Sequence, residues 1–316
     1  MTKIKLLLLT LLSIVMPMSL SAYTKDQIVH FGANHYKVVS ATENTLYFLG
    51  TDDSSTGELE IPGTIPDGRG TTFKVIGVSP HSLYRSINIT SVKLPETIER
   101  LEGAIFRGAR LERINIPKSV KYIDPFAWGE VRRVPKHDVA TDNPNYCSDS
   151  QGTLYSKNYT TLQSVPSDVN PTDGVYTVDS RVQKITNPAF RLIEGLKKIV
   201  LPKDLKEIKD GNPTIAPTST LEAFEIAGGG DTPYSVDAGV LFKDTILMVY
   251  PPAKPEKTYT VPNNITTIGI NAFLQSSILE EIDLNNVRKL NIASIDNAAK
   301  LTKITLPKGI KTYNPT

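Results

Sequence analysis

The chain has 316 residues, with 35 lysines and arginines against 33 aspartates and glutamates, four histidines and one cysteine. A formal net charge of +2 gives little drive for nucleic-acid binding by counterion release, and a single cysteine cannot form an intramolecular disulfide. Neither a nucleic acid nor an anionic lipid surface is therefore expected as a partner.

The first 22 residues have the pattern of a secretory signal peptide. Lys3 and Lys5 precede an apolar run that begins at Leu6, and small residues ending at Ala22 provide a cleavage site. The apolar run is shorter than the roughly 20 residues that a membrane-spanning helix needs. The sequence therefore predicts an exported protein that is secreted, held at the cell surface or periplasmic, with no membrane insertion after cleavage.

A sequence repeat of about 22 residues then recurs along the chain. Its aliphatic residues are separated by three, two, four and three positions, often with a proline after the third. One copy reads Leu111, Ile114, Ile116-Pro117, Val120 and Ile123. A larger unit of 83 residues is superimposed, because Tyr176 and Phe190 return as Tyr259 and Phe273.

Each repeat is predicted to be one coil of a solenoid. Residues two apart share one face of a strand, so Ile114 and Ile116 should point inward. The proline marks a corner, a second short extended segment follows, and Ala189-Phe190 is typical of a closing helical turn. About five buried aliphatic residues give on the order of 10 kcal/mol. Ordering one repeat costs about 30 kcal/mol, so the coils must stack to fold.

The predicted fold class is α/β and rich in β-structure, a curved stack of coils with β-hairpin insertions. Residues 23–58 are predicted to form an N-terminal β-hairpin cap, and residues 59–316 the repeat array. Polar, glycine-containing turns followed by apolar runs predict hairpin insertions near 141–166 and 231–251. The repeats near Val131–Val139 and Asn212–Ile226 fit poorly, and we expect the strand ladder to break or bulge there.

The repeat resembles the BspA-type leucine-rich repeats of exported and surface proteins in Bacteroidetes and related bacteria. The resemblance rests on Leu-x-x-Ile-x-Ile-Pro-x-x-Val-x-x-Ile followed by Ala-Phe, and on the insertions that begin near Tyr146 and Tyr234. It extends from about Leu59 to Lys311. It implies a leucine-rich-repeat solenoid and a role in adhesion to host or bacterial proteins.

No catalytic constellation, cofactor motif or metal site is predicted. His30 and His35 are five residues apart, which is not a metal-ligand motif, and solvated or capping roles are expected. Cys147 corresponds to Ser235 in the next insertion, so a structural cysteine is favoured over a nucleophile. The chain is accordingly predicted not to be an enzyme.

Basic residues crowd the region from Arg107 to Lys136, with Arg110 and Arg132 among them. Acidic residues such as Glu130 are interleaved with them. A solvated surface of mixed charge is the favoured interpretation.

The outward face of the strand ladder is the candidate binding surface, because concave faces of solenoids commonly bind partners; the alternative is a polar row that serves solubility alone. Strand alternation assigns to it Lys93, Arg113, Asn115, Thr177, Lys198, Val200, Glu225, Thr260, Glu281, Asp283, Lys303 and Thr305. A host-matrix or bacterial surface protein is the expected partner. The alternative is a glycan-binding or structural component of the cell envelope, favoured if the hairpin aromatics are exposed for stacking: Tyr155, Tyr234, Phe242 and Tyr250.

Overall fold

The computed structural model describes residues 23–52, 55–186, 188–209, 219–291 and 293–307. The predicted signal peptide at 1–22 and the last nine residues of the predicted array lie outside these ranges. The described residues form strands, turns and irregular segments, and no helix.

Three successive blocks share one plan, in which an antiparallel meander of three strands precedes a set of coils. The first block contains β1 (Ile28–Phe31), β2 (Asn34–Ser40), β3 (Thr45–Thr51), β4 (Gly57–Glu60), β5 (Thr64–Pro66), β6 (Thr72–Val78), β7 (Ile89–Lys93), β8 (Arg100–Leu101), β9 (Arg113–Ile116), β10 (Tyr122–Ile123) and β11 (Lys136–Val139). The second contains β12 (Tyr146–Ser148), β13 (Leu154–Ser156), β14 (Thr161–Ser164), β15 (Val175–Thr177), β16 (Lys184–Ile185), β17 (Lys198–Leu201), β18 (Glu207–Ile208) and β19 (Ala223–Ile226). The third contains β20 (Tyr234–Asp237), β21 (Val240–Lys243), β22 (Ile246–Val249), β23 (Thr258–Thr260), β24 (Thr267–Ile268), β25 (Glu281–Asp283), β26 (Lys289–Leu290) and β27 (Lys303–Thr305).

Each coil gives one strand to each of two faces of a β-solenoid. Strands of three to five residues form the long-strand face, in the orders β4-β7-β9-β11, β15-β17-β19 and β23-β25-β27. Further strands continue each meander on the short-strand face, in the orders β3-β6-β8-β10, β14-β16-β18 and β22-β24-β26, and all of these added strands except β6 have two residues. Ser91 lies opposite Arg113 in parallel register, one repeat of 22 residues later. Stacked coils of this length are confirmed.

The aliphatic residues of the repeat fill the interior, with Ile114 and Ile116 fully buried. They form three clusters, one for each block. The meanders separate these clusters, because consecutive residues of a strand point to opposite faces. Leu154 packs in the first cluster and its neighbour Tyr155 in the second. The meanders thus divide the aliphatic interior into three parts.

The predicted helical turn at the end of each coil is wrong. Ala104 and Gly108 have φ values of 51° and 75°, and left-handed residues recur at this spacing in other coils. A right-handed helix needs negative φ throughout, so these residues prevent it. The backbone N–H groups of Ala104 and Gly108 instead donate to the carbonyls of Phe126 and Glu130 in the next coil. The turns are therefore held by bonds to the next coil together with single bonds between residues three apart, such as that from the Ala109 N–H to the Phe106 carbonyl, and these do not continue into a helix.

The described residues of the two poorly fitting repeats still form strands on the long-strand face, and residues 212–218 of the second repeat lie outside the described ranges. β11 pairs with β9 and β19 with β17, each in parallel and in regular register. His137 takes the place opposite Ile114, which explains why the aliphatic pattern fails in this repeat. The interruption lies beyond these strands, since the sheets of the first and second blocks end at β11 and β19.

The tips of two meanders cover those sheet edges. The Gly152 carbonyl accepts a hydrogen bond from the His137 backbone N–H, and the Gly239 carbonyl accepts one from the Phe224 N–H. Both glycines are left-handed, with φ values of 82° and 80°. Covering the edge in this way satisfies strand groups that would otherwise invite pairing with another chain.

Substituting Gly152 by alanine is expected to lower the free energy of unfolding by about 2–3 kcal/mol. The added Cβ would lie 2.9 Å from the Lys136 Cβ and 3.1 Å from the His137 nitrogen, in a left-handed residue. Gly68→Ala is the matched control, because Gly68 has a φ of 72° and open space around it. The free energy of unfolding of that control should fall by about 1 kcal/mol, because of backbone strain alone. Equal losses in urea denaturation would contradict the close approach at Gly152.

Candidate interaction surface

None of the twelve residues predicted for the outward face is buried. Seven are exposed: Lys93, Arg113, Thr177, Glu225, Thr260, Lys303 and Thr305. Five are half-buried: Asn115, Lys198, Val200, Glu281 and Asp283. The structure brings them together in three groups, one on each sheet of the long-strand face, rather than along one ladder.

Charges on this face alternate between neighbouring coils. Lys93 pairs with Glu60, with the Nζ and Oε1 atoms 3.0 Å apart, and Arg113 pairs with Asp138 at 3.2 Å. In the other two sheets, the same kind of pair joins Lys198 to Glu225 at 3.2 Å and Lys303 to Glu281 at 2.9 Å. Such exposed pairs contribute little to stability. They do leave charged groups available to a partner that can compete for them.

Asn115 has a structural role on this face. Its Oδ1 accepts a hydrogen bond from the Leu94 backbone N–H at 2.7 Å, and its Nδ2 donates to the Leu94 carbonyl at 3.0 Å. The side chain thus satisfies the backbone of the preceding coil where that coil turns. Asn115 is therefore less available to a partner than Arg113.

The hairpin aromatics do not form an exposed ridge. The side chains proposed to stack on sugars are all buried: Tyr155, Tyr234, Phe242 and Tyr250. Stacking on a sugar needs an accessible ring face. The glycan alternative therefore loses the observation that would have favoured it.

His30 and His35 face each other across β1 and β2. Their Nδ1 atoms are 2.6 Å apart, and the His35 Nε2 lies 2.9 Å from an Asp52 carboxylate oxygen. Among the residues that the structure describes, no group of three or more histidine, cysteine, aspartate or glutamate side chains could hold a metal ion. The pair is a hydrogen-bonded surface cluster with fewer protein ligands than a structural zinc site has.

Cys147 lies in β12, in the meander of the second block, and is partly buried. Its thiol donates a hydrogen bond to the Ser156 carbonyl at 3.2 Å. Burial raises the pKa of the thiol, which favours the protonated form over the reactive thiolate. This environment gives no support to a nucleophilic role.

The basic region between Arg107 and Lys136 is largely paired with acidic residues. Arg107 contacts Glu130 at 2.6 Å, and Arg133 contacts Asp168 at 3.2 Å. The pairs join neighbouring coils, as expected for a solvated surface of mixed charge. Arg110 and Arg132 depart from this pattern, because neither makes an ion pair with any acidic residue in the described ranges.

Residues 72–147, 175–213 and 255–316, more than half of the chain, match six copies of the BspA type leucine rich repeat region. No curated protein matches the sequence at a significant level. Nowhere in the described part of the chain is there a helix long and apolar enough to cross a membrane.

Three solved structures are similar to this fold. The pneumococcal vaccine antigen PcpA is 18% identical, with a TM-score of 0.51, and the match covers 92% of this chain and 72% of PcpA. A leucine rich cell surface protein from Faecalibacterium prausnitzii is 14% identical, with a TM-score of 0.43 and coverages of 90% and 96%. A leucine-rich repeat protein from Bacteroides ovatus is 17% identical, with a TM-score of 0.42 and coverages of 90% and 70%.

At these identities the structural similarity concerns the fold alone. The matched ranges include buried aliphatic residues of the coils, such as Ile114, Ile199 and Ile282. The chain belongs to the BspA-type leucine-rich-repeat family.

Proposed function

We propose that the chain is an exported, non-enzymatic protein that binds other proteins through its long-strand face, in adhesion to host or bacterial surfaces. The observation that carries this proposal is the alternation along the long strands. In β9, Ile114 and Ile116 are buried while Arg113 is exposed. A rigid backbone thereby presents rows of polar side chains, which is how repeat proteins commonly bind partners.

Two further observations support this function. The sequence pattern of residues 1–22 is that of a signal peptide, which favours export to the cell surface, the medium or the periplasm. The family consists of leucine-rich repeats, which generally serve protein interaction. Partners of protein character are therefore preferred over a glycan or a structural role in the envelope.

Reversing the charge of both Arg113 and Lys198 is expected to weaken binding of a protein partner at least tenfold. Both side chains extend from the long-strand face and would meet a partner's acidic groups, which the substitutions to glutamate would repel. Binding is measured by surface plasmon resonance of the purified chain over immobilised host-matrix proteins and bacterial surface extracts.

Lys289→Glu is the control for this prediction, since Lys289 is exposed on the short-strand face. The double variant should fold normally, because the pairs with Asp138 and Glu225 are exposed and weak. Undiminished binding by the folded Arg113→Glu, Lys198→Glu variant would exclude the long-strand face as the binding surface. No binding by the unmodified chain would count against the proposed function itself.

A further inference from the structure

A cleft lies at the junction of the first and second blocks. Its volume is about 680 Å³, and Arg110, Arg132 and Arg133 line it from the first block. Asp168 lies in the connection that follows β14, and Leu192 lies in a turn of the second block. The volume is within the usual range of ligand pockets, roughly 300–1,000 Å³. The cleft opens beside the place where the long-strand face is interrupted.

The arginines of this cleft differ from the charged residues of the long strands. Elsewhere on the long-strand face, lysines and arginines pair with acidic residues of the neighbouring coil. Here Arg110 forms a backbone bridge with Arg133, so two like charges stand side by side. Arg133 is paired with Asp168, whereas Arg110 and Arg132 are exposed and have no acidic partner in the described ranges. Neighbouring like charges are destabilising, and a bound anion would relieve them.

Leu192 is a second departure from the repeat. It lies two residues after the buried Phe190, in a left-handed conformation with a φ of 57°. The equivalent left-handed residues of other coils are Arg85, Gly108, Glu130, Gln275 and Asn297. Leu192 is thus the apolar member of this set, it is 36% exposed, and it lines the cleft. A bulky apolar residue is unfavourable in this conformation and in water, which indicates a role in binding.

We infer that this cleft binds an extended acidic segment of a partner protein, with carboxylates against Arg110 and Arg132 and an aliphatic side chain on Leu192. Arginine binds carboxylates through paired hydrogen bonds, and an apolar contact beside them selects a peptide that carries both groups. A simple inorganic anion has no apolar group to place on Leu192, which also lines the cleft. The inference rests on the proposed protein-binding function and adds a chemical class of partner.

The test is fluorescence polarisation with a fluorescein-labelled peptide of sequence Glu-Glu-Leu-Glu-Glu, compared with Gln-Gln-Leu-Gln-Gln. The acidic peptide is expected to bind with a dissociation constant below about 1 mM, and the neutral one at least tenfold more weakly. Arg110→Glu with Arg132→Glu should weaken binding of the acidic peptide tenfold or more. Leu192→Ser should weaken it several-fold, and Arg288→Glu, an exposed cation outside the cleft, should leave it unchanged.

Equal affinity of the two peptides, no binding up to about 1 mM, or an undiminished affinity in the double arginine variant would overturn the inference. Circular dichroism verifies the fold of each variant. Raising the salt concentration on the unmodified chain gives a second readout, since screening must weaken the acidic peptide selectively. If whole proteins bind but the peptide does not, the cleft inference fails and the proposed function stands. If the peptide alone binds, the proposed function fails and the cleft remains a peptide site.

Discussion

Replacing Phe190 by alanine is expected to lower the free energy of unfolding by about 3–5 kcal/mol. The Phe190 side chain is fully buried in the second block, and its ring meets the Tyr176 ring edge to face with the centroids 5.6 Å apart. Alanine would leave a cavity of phenyl size that the stacked coils fill only in part. Urea denaturation followed by circular dichroism measures the loss.

The control is Ile87→Ala, because the Ile87 side chain is 51% exposed and its removal should change the unfolding free energy by less than about 0.5 kcal/mol. In a stack of coils each unit is stabilised mainly by its neighbours. The second block should therefore unfold at lower urea concentration than the others in the Phe190→Ala variant. A loss below about 1 kcal/mol would contradict the closing role assigned to this ring.

Much of the fold could be predicted because regularly spaced aliphatic residues define the repeat. Positions such as Ile199 and Leu201 are buried, and they recur 83 residues later as the buried Ile282 and Leu284. Their spacing of two residues is needed because alternate residues of a strand point to the same face, which here is the buried one. The coil length, the strands and the stacking follow from that pattern.

The turns could not be predicted in the same way. Left-handed backbone in these coils is adopted by chemically different residues, including Arg85, Gly108 and Gln275. Their conformation is set by hydrogen bonds to the adjacent coil, such as that from the Arg85 N–H to the Arg107 carbonyl. The local sequence carries no sign of that contact, and Ala-Phe alone therefore predicts a helical turn.

For the candidate surface, the sequence predicts which strand positions face outward, but not the contacts that their side chains make. Strand alternation identified residues such as Arg113 as outward-facing, but it could not foresee that Asn115 binds the preceding coil. The junction cleft combines Arg110, Asp168 and Leu192, which are remote in sequence and meet only when the two blocks stack. Comparing each repeat position across coils, rather than within one, is the signal that could have singled out Leu192.

Acidification below pH 6.5 is expected to destabilise the protein through His137. This residue lies in β11 at a core position, and burial lowers its pKa from the ordinary 6.5 to about 4. The neutral ring is positioned with Nδ1 2.8 Å from the Gly152 carbonyl oxygen, and its other edge contacts Trp128, with ring centroids 4.5 Å apart. Protonation would place a charge in an apolar interior that cannot solvate it.

The sign of the change in stability with pH follows from the protons that the folded and unfolded chains bind. Between pH 6.5 and about 4 the unfolded chain protonates His137 and the folded chain does not, so stability falls as pH falls through this window. At about 1.4 kcal/mol per pKa unit, the free energy of unfolding falls by about 3 kcal/mol in total. This loss is complete below pH 4.

His137→Leu separates this contribution from that of the carboxylates that also titrate in acid. Leucine matches the apolar character of Ile114, which occupies the paired position in β9, but it cannot titrate. The variant loses the side-chain contact to Gly152 and should be less stable at pH 7.5. It should nevertheless lose less stability than the unmodified chain between pH 7.5 and pH 4, as measured by urea denaturation at each pH. Parallel pH profiles for the two chains would mean that His137 is not held neutral by burial, and that the edge formed by β11 and the meander of the second block is open to water.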